Sequence, residues 1–152
     1  MECCNSKNSH KGFVITCNEC GKTGKPVKRK TLEHLLKEGR VSLVRDTQYY
    51  FCSTPHCNVV YFSRNSDTFY KTDLKVRVGL KETEEPIPVC YCFGYTKKMI
   101  TDDFFKNDRS TIQGEITKKV KQGICRCEVT NPQGTCCLGN VAQVLKMIGI
   151  PS

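Results

Sequence analysis

The sequence lacks any uninterrupted apolar stretch near the ~18 residues that a membrane-spanning helix needs. Its opening, Met-Glu-Cys-Cys-Asn-Ser-Lys, is polar and lacks the apolar core of a secretory signal. There is no glycine-rich phosphate loop, no internal repeat and no low-complexity tract, and no Ser/His/Asp or Cys/His arrangement stands out as catalytic. These absences argue against a membrane span, a secreted scaffold, a nucleotide-binding enzyme and a hydrolase. They leave a cytoplasmic chain, in a reducing pool where cysteines serve as metal ligands more often than as disulfides.

Cysteine is plentiful, at 12 of 152 residues, a density at the edge of the cysteine-rich scaffold class. The length allows one domain or two small ones. If two, each holds roughly 75 residues, a size whose core rarely supplies more than ~3–5 kcal/mol without staples. The 38% hydrophobic and 9% aromatic content supports a modest core, and the periodicity of the apolar residues argues against disorder throughout.

The formal charge is +9, which invites a nucleic-acid reading. The distribution weakens it. Residues 1–88 carry 15 basic and 10 acidic groups and residues 89–152 carry 9 and 5, so neither half concentrates charge. The one basic run, Lys22, Lys25, Lys28, Arg29 and Lys30, sits among glycine and proline and reads as a solvated loop.

The cysteines fall into six close pairs, at 3/4, 17/20, 52/57, 90/92, 125/127 and 136/137. The segment 81–88, charged and with two prolines but no periodicity, reads as a linker. The expected organisation is a flexible arm at 1–12, a zinc-binding α+β unit at 13–80, the linker, and a short-helical unit at 89–152. In the first unit, Thr31 is expected to cap a helix over Leu32–Glu38 that stops at Gly39. Strand-like runs follow at Val41–Arg45, Gln48–Cys52, Val59–Ser63 and Leu74–Val78, with a hairpin turn at Asp46-Thr47. In the second, Thr96 caps a helix containing Met99, Ile100, Phe104 and Phe105. Ser110 and Gln113 form a capping box before Ile112, Ile116 and Val120, and a last helix carries Leu138, Val141, Leu145 and Ile148 as far as Gly149 and Pro151.

Two cysteine groups carry chemistry. Cys17 and Cys20, two residues apart and followed by Gly21, form a zinc-knuckle turn, in which both sulfurs face one metal and the glycine permits a positive φ. Cys52 and Cys57 complete a four-thiolate set for a structural Zn2+, with His56 in place of one cysteine as the alternative. The second group opens with Cys90 and Cys92, one residue apart before a capped helix. That gap is poor for a zinc knuckle but can place two sulfurs on one iron of a 2Fe–2S cluster, which takes four thiolates in all. Cys125, Cys127, Cys136 and Cys137 are four candidates for the remaining two positions. Cys137 directly precedes the last helix, whose N–H groups and dipole stabilise a thiolate. Cys136, adjacent in sequence, is expected to point away.

The Cys-x-Cys-x-Gly-x-Thr opening at 90–96, two short helices, and cysteines leading into a final helix resemble the bacterioferritin-associated ferredoxin (BFD-like) 2Fe–2S domain over 89–149. The match departs from it in the loop 128–136, which separates Cys127 from Cys137 where that family closes with Cys-x-x-Cys. A longer resemblance runs over roughly residues 13–149. It is carried by Tyr50-Phe-Cys-Ser, Val59-Val-Tyr-Phe, Asp73-Leu-Lys-Val-Arg-Val-Gly, Glu85-Pro-Ile-Pro-Val-Cys-Tyr-Cys-Phe and Cys136-Cys-Leu-Gly. By these residues the chain resembles the N-terminal metal-binding domain of the iron–sulfur type of CopZ copper chaperone.

The resemblance implies one zinc and one 2Fe–2S cluster, the latter on Cys90, Cys92, Cys127 and Cys137. Cys125 for Cys127, and Cys136 for Cys137, stay open alternatives. It also implies metal trafficking, with Cu(II) reduced to Cu(I) for a copper-transporting ATPase or a heavy-metal-associated domain and the electron donor unidentified. Transient Cu+ binding is part of that expectation, with Cys3, Cys4 and His10 as a candidate site. Family chaperones carry a further domain with an M-x-C-x-x-C copper loop that this sequence does not contain. That leaves either one domain of a longer protein or a version working with a separate carrier. The competing readings are a ferredoxin-like electron-transfer subunit for a partner oxidoreductase and a scaffold with two structural zincs.

Overall fold

The run Val59-Val-Tyr-Phe-Ser63 has no polar alternation, and it forms a strand buried at every position, with both faces covered. It is β3 of a four-stranded antiparallel sheet in the order β1-β2-β3-β4, with β1 at Lys25–Val27, β2 at Tyr49–Phe51 and β4 at Thr68–Tyr70. Tyr49, Tyr50 and Phe51 stand opposite Ser63, Phe62 and Tyr61. Alternation along β2 sends Tyr49 and Phe51 to one face and Tyr50 to the other. A register shift between Val59 and Tyr61 lets Val60 and Tyr61 both join the first face. This computed structural model describes residues 15–148. The expected arm with Cys3, Cys4 and His10, and the expected helix stop at Gly149 and Pro151, lie outside the described residues.

One face of the sheet packs on α1 (Arg29–Leu35), where Leu32, Leu35 and Leu36 meet Tyr49, Phe51 and Tyr61. Full burial of such side chains contributes roughly 1.5–3 kcal/mol each before the entropy of ordering. On the other face Phe62, Val59 and Tyr50 pack around Cys17, Cys52 and Cys57.

The second lobe starts with a short hairpin, β5 (Pro88–Cys90) and β6 (Tyr95–Thr96), turned by Gly94 at φ 75°. Helices α3 (Lys97–Asn107), α4 (Thr111–Lys121) and α6 (Leu138–Met147) bury Ile100, Ile112, Ile116, Val141, Val144 and Leu145 together. The expected caps are present: the Thr96 hydroxyl accepts from the Met99 N–H at 3.2 Å, and that of Ser110 from the Gln113 N–H at 3.1 Å. No helix among the described residues is long and apolar enough to cross a membrane.

The mixture is α+β, a small sheet unit followed by a helical one, as the pattern led us to expect. Several elements differ. Thr31 is not a cap: it lies inside α1, 1% exposed, and its hydroxyl donates to the Glu128 carbonyl at 2.7 Å. The helix ends at Leu35, and Gly39 falls inside a separate turn of helix, α2 (Glu38–Val41). Val41–Arg45 is therefore no strand, and Asp46-Thr47 turns no hairpin. Around Leu74 there is a single bridge, to Leu36, after a 3-10 turn at Lys71–Asp73. Strands β1 and β4 and the four-residue helix α5 (Cys127–Thr130) carry too little periodicity to be expected.

The segment between the lobes is held down along its length. A 3-10 turn at Gly79–Lys81 buries Lys81, and the Tyr91 hydroxyl accepts from the Gly79 N–H at 2.8 Å while donating to the Arg77 carbonyl at 3.0 Å. Helix α1 packs on α5, where Lys28 pairs with Glu128 at 2.6 Å. The two lobes thus meet through packed elements as well as through the connecting chain.

Candidate metal centres

Two loops and one strand end build the first centre. The Gly21 N–H donates to the Cys17 carbonyl at 3.0 Å and the Cys17 N–H to the Lys22 carbonyl at 2.8 Å, closing a tight turn that puts both sulfurs on one side. Gly21 has φ 76°, the left-handed conformation for which glycine is suited. Cys52 leaves the end of β2, tied to the Val60 carbonyl at 2.9 Å, and the loop 53–56 returns with Cys57. The Sγ atoms of Cys17 and Cys57 lie 3.8 Å apart and those of Cys20 and Cys52 3.6 Å apart. All four lie within 4.8 Å of one another. Zn–S bonds of ~2.3 Å in a tetrahedron require sulfurs about 3.8 Å apart, so the set fits a single zinc ion. His56 is exposed and takes no part, so the four-cysteine alternative is the one the geometry assembles.

The thiols polarise each other. Burial pushes Cys57 up to about 12, with the neighbouring Cys17 adding to it, and burial likewise raises Cys17. At Cys20 burial is outweighed: hydrogen bonds to the Thr54 hydroxyl, 3.1 Å away, and from the Lys22 N–H draw the thiol down to about 6. Protonated and deprotonated sulfurs share hydrogen bonds across the cage, a set that a divalent ion replaces by binding all four as thiolates.

Lys81, placed in the linker by its sequence surroundings, reaches this cage. Its Nζ donates to the carbonyls of Thr54 at 2.7 Å and Cys57 at 2.9 Å, and stands 3.7 Å from Cys52 Sγ. Nothing local in the sequence marks it; only the fold brings it there.

The second group gathers at the junction of β5, α5 and α6. Cys90 ends β5, Cys127 opens α5, and Cys137 caps α6, each about 1% exposed. Cys92 Sγ lies 3.5 Å from Cys127 Sγ and 3.1 Å from the Thr130 hydroxyl, and accepts from the Arg126 N–H at 2.9 Å. Cys137 is hydrogen-bonded to both Cys127 and Cys90. These bonds draw Cys137 down to about 4, and the bond to Cys127 draws Cys92 down to about 6, while the bond to Cys137 pushes Cys90 up and those to Cys136, Cys137 and Cys92 push Cys127 up. All four are free thiols. The thiols link in the order Cys92, Cys127, Cys137, Cys90.

Cys125 is buried in the same core, but it is Cys127 whose sulfur meets Cys92. Cys136 does not simply point away: it is hydrogen-bonded to Cys127. Among the described residues only the first group has all its ligand atoms within 4.8 Å of one another, so the second is not drawn into a one-ion cage. Three buried thiols and the half-buried Cys92, two of the four held low, with an N–H donor on one and a helix start behind another, fit an anionic thiolate-bound centre larger than one ion.

Residues 15–75 match the CopZ-type family described as "Zinc binding domain". The chain is 41% identical over 127 residues to "Copper chaperone CopZ" of Archaeoglobus fulgidus, an alignment taking in 82% of this chain and 58% of that protein. The chain therefore spans a little over half the length of that relative. The X-ray structure of the Archaeoglobus fulgidus CopZ N-terminal domain is similar with a TM-score of 0.71 at 37% identity, covering 91% of this chain and 100% of that one. With that structure matched over its whole length, and with the cysteine cage falling inside the zinc-domain match, the chain belongs to the family of CopZ N-terminal domains.

Proposed function

We propose that this chain is the metal-bearing module of a copper-trafficking system, with a structural zinc on Cys17, Cys20, Cys52 and Cys57 and a 2Fe–2S cluster on Cys90, Cys92, Cys127 and Cys137. The observation that carries the cluster is the arrangement of the second group. Cys92 Sγ lies 3.5 Å from Cys127 Sγ, Cys137 is bonded to both Cys127 and Cys90, and the four sulfurs do not close to one-ion dimensions. Two irons spread four thiolates more widely than one tetrahedral zinc does.

A 2Fe–2S centre held by four thiolates exchanges one electron and offers no open position to a substrate. Cu(II) that takes up one electron becomes Cu(I), the ion that soft thiolates prefer. The reading is therefore reductive capture of copper, an external donor supplying the electron and a copper-transporting ATPase or heavy-metal-associated domain receiving the Cu(I). The chain's own part is to hold the thiolates: the Arg126 N–H and the Thr130 hydroxyl at Cys92, and the start of α6 behind Cys137.

Elemental analysis and an optical spectrum on anaerobically purified protein test this reading. About two irons and one zinc per chain are expected, with visible bands that bleach on dithionite. A colourless protein holding two zincs and refusing reconstitution with iron and sulfide would overturn it. Bleached bands that do not return on adding Cu(II), but do with another acceptor, would favour a ferredoxin-like subunit instead.

A further inference from the structure

Lys81 is the only charged side chain buried among the described residues, at 4% exposure. Its Nζ faces two carbonyl oxygens and one sulfur, three acceptors for the three donors of an ammonium group. Among the described residues no carboxylate lies within ion-pair distance of it. Glu82, its neighbour in the chain, pairs instead with Arg77 at 2.9 Å and Lys71 at 3.4 Å. A buried cation with no counter-charge is strongly unfavourable. The group it faces is the sulfur cage, and four thiolates around a divalent ion carry a net charge of −2.

We propose that Lys81 is the charge partner of the four-cysteine centre, a positioning residue that makes the metal-loaded cage tighter than its ligands alone would. The inference rests on the zinc reading above and adds a residue from outside the knuckles. The family match for the zinc domain ends at residue 75, whereas this ammonium comes from residue 81, in the turn leading to the second lobe. Its action is twofold. The positive charge offsets part of the −2 on the buried side of the cage, beside Cys52 and Cys57. Its bonds to the Thr54 and Cys57 carbonyls also hold the loop between Cys52 and Cys57 at the spacing one ion needs. Partners of this kind typically change metal affinity by about 10–100-fold when removed.

The test uses the full chain and the variants Lys81→Arg, Lys81→Gln and Lys81→Met. Zinc affinity is measured by competition with a chromophoric chelator, and the thiolate-to-cobalt charge-transfer bands are recorded after Co(II) loading. Lys81→Gln and Lys81→Met are expected to bind zinc about 10–100-fold more weakly, with charge-transfer bands moved to lower energy. Lys81→Arg, which keeps the charge, is expected to stay within a few-fold of the parent. Lys81→Gln retains donors for the two carbonyls, so it reports on charge even if Lys81→Met fails to fold. If the parent binds zinc tightly and Lys81→Gln matches it in affinity and spectrum, the inference is wrong and the zinc reading survives. An arginine variant as weak as the methionine one would also overturn it. A parent chain giving no tetrathiolate cobalt spectrum would remove the zinc reading itself.

Discussion

The Tyr61 hydroxyl donates a 2.6 Å hydrogen bond to the Pro132 carbonyl, across 71 residues of sequence. Tyr61 lies on the central strand of the first lobe, and Pro132 in the loop between α5 and α6 that leads to Cys137. The strand that walls the zinc cage thus also fixes the loop between two proposed cluster ligands. Burial holds the Tyr61 phenol well above its ordinary value of 10.0, so it remains a donor at any physiological pH. Tyr61→Phe keeps the ring and leaves the Pro132 carbonyl without this donor. The expected loss is about 1–3 kcal/mol of unfolding free energy, read by chemical denaturation. A variant as stable as the parent would show that water satisfies the carbonyl.

Cys52 is fully buried and ties the end of β2 to the cage. Cys52→Ser should lose bound zinc and melt the sheet lobe, since structural zinc in small domains is worth ~10–16 kcal/mol of apparent folding energy. Zinc content by elemental analysis and a thermal melt read the two effects. A strong chelator acting on the parent should produce the same melt, and a lobe that stays folded without metal would contradict the prediction.

Zinc binding should weaken as pH falls. Cys57, pushed up to about 12, and Cys17, raised above its ordinary 9.0, hold their protons at pH 7 in the metal-free protein, whereas Cys20, at about 6, has mostly released its own. Binding must therefore release at least the protons of Cys17 and Cys57. Calorimetry in buffers of different ionisation enthalpy should count them. An affinity independent of pH between 6 and 8 would contradict this.

Asp103 links α3 to the start of α4: its carboxylate accepts from the N–H groups of Thr111 at 2.8 Å and Ile112 at 3.1 Å, and from the Thr111 hydroxyl. Burial alone would raise its pKa, but the hydrogen bonds with Thr111 and Ile112 outweigh it and hold the carboxyl below its ordinary 3.8. A depressed carboxylate contributes stability above its unfolded value and loses it as pH falls through the folded one. Asp103→Ala should cost about 1 kcal/mol, the usual worth of a capping side chain. The difference from the parent should shrink below about pH 4, where the carboxylate of the unfolded chain protonates. Denaturation at pH 7 and pH 3 checks both statements.

Short-range rules found much of the candidate site. The glycine after Cys20 has the positive φ that the knuckle requires, and Thr96 and Ser110 cap the helices they precede. These features depend on chemistry within four or five residues. Thr31 shows the limit: its sequence position suits a cap, but the approach of α5 gives its hydroxyl a carbonyl 97 residues away, and α1 starts earlier. The runs at Val41–Arg45 and Leu74–Val78 have the composition of strands, but neither gains a strand partner, and composition alone makes no ladder.

The amino-acid order by itself determined which thiols stand close along the chain, since a two-residue gap and a following glycine constrain the backbone locally. It also determined where α3 and α4 begin, through the hydroxyl caps of Thr96 and Ser110. Only the folded structure decided that Cys17 meets Cys57, that Cys92 meets Cys127, and that Lys81 turns inward to face a sulfur cage. The reason is range. Turn and cap preferences act over one helical turn, whereas these partners are 24 to 40 residues apart and come together only when the sheet and the helices bury their apolar faces.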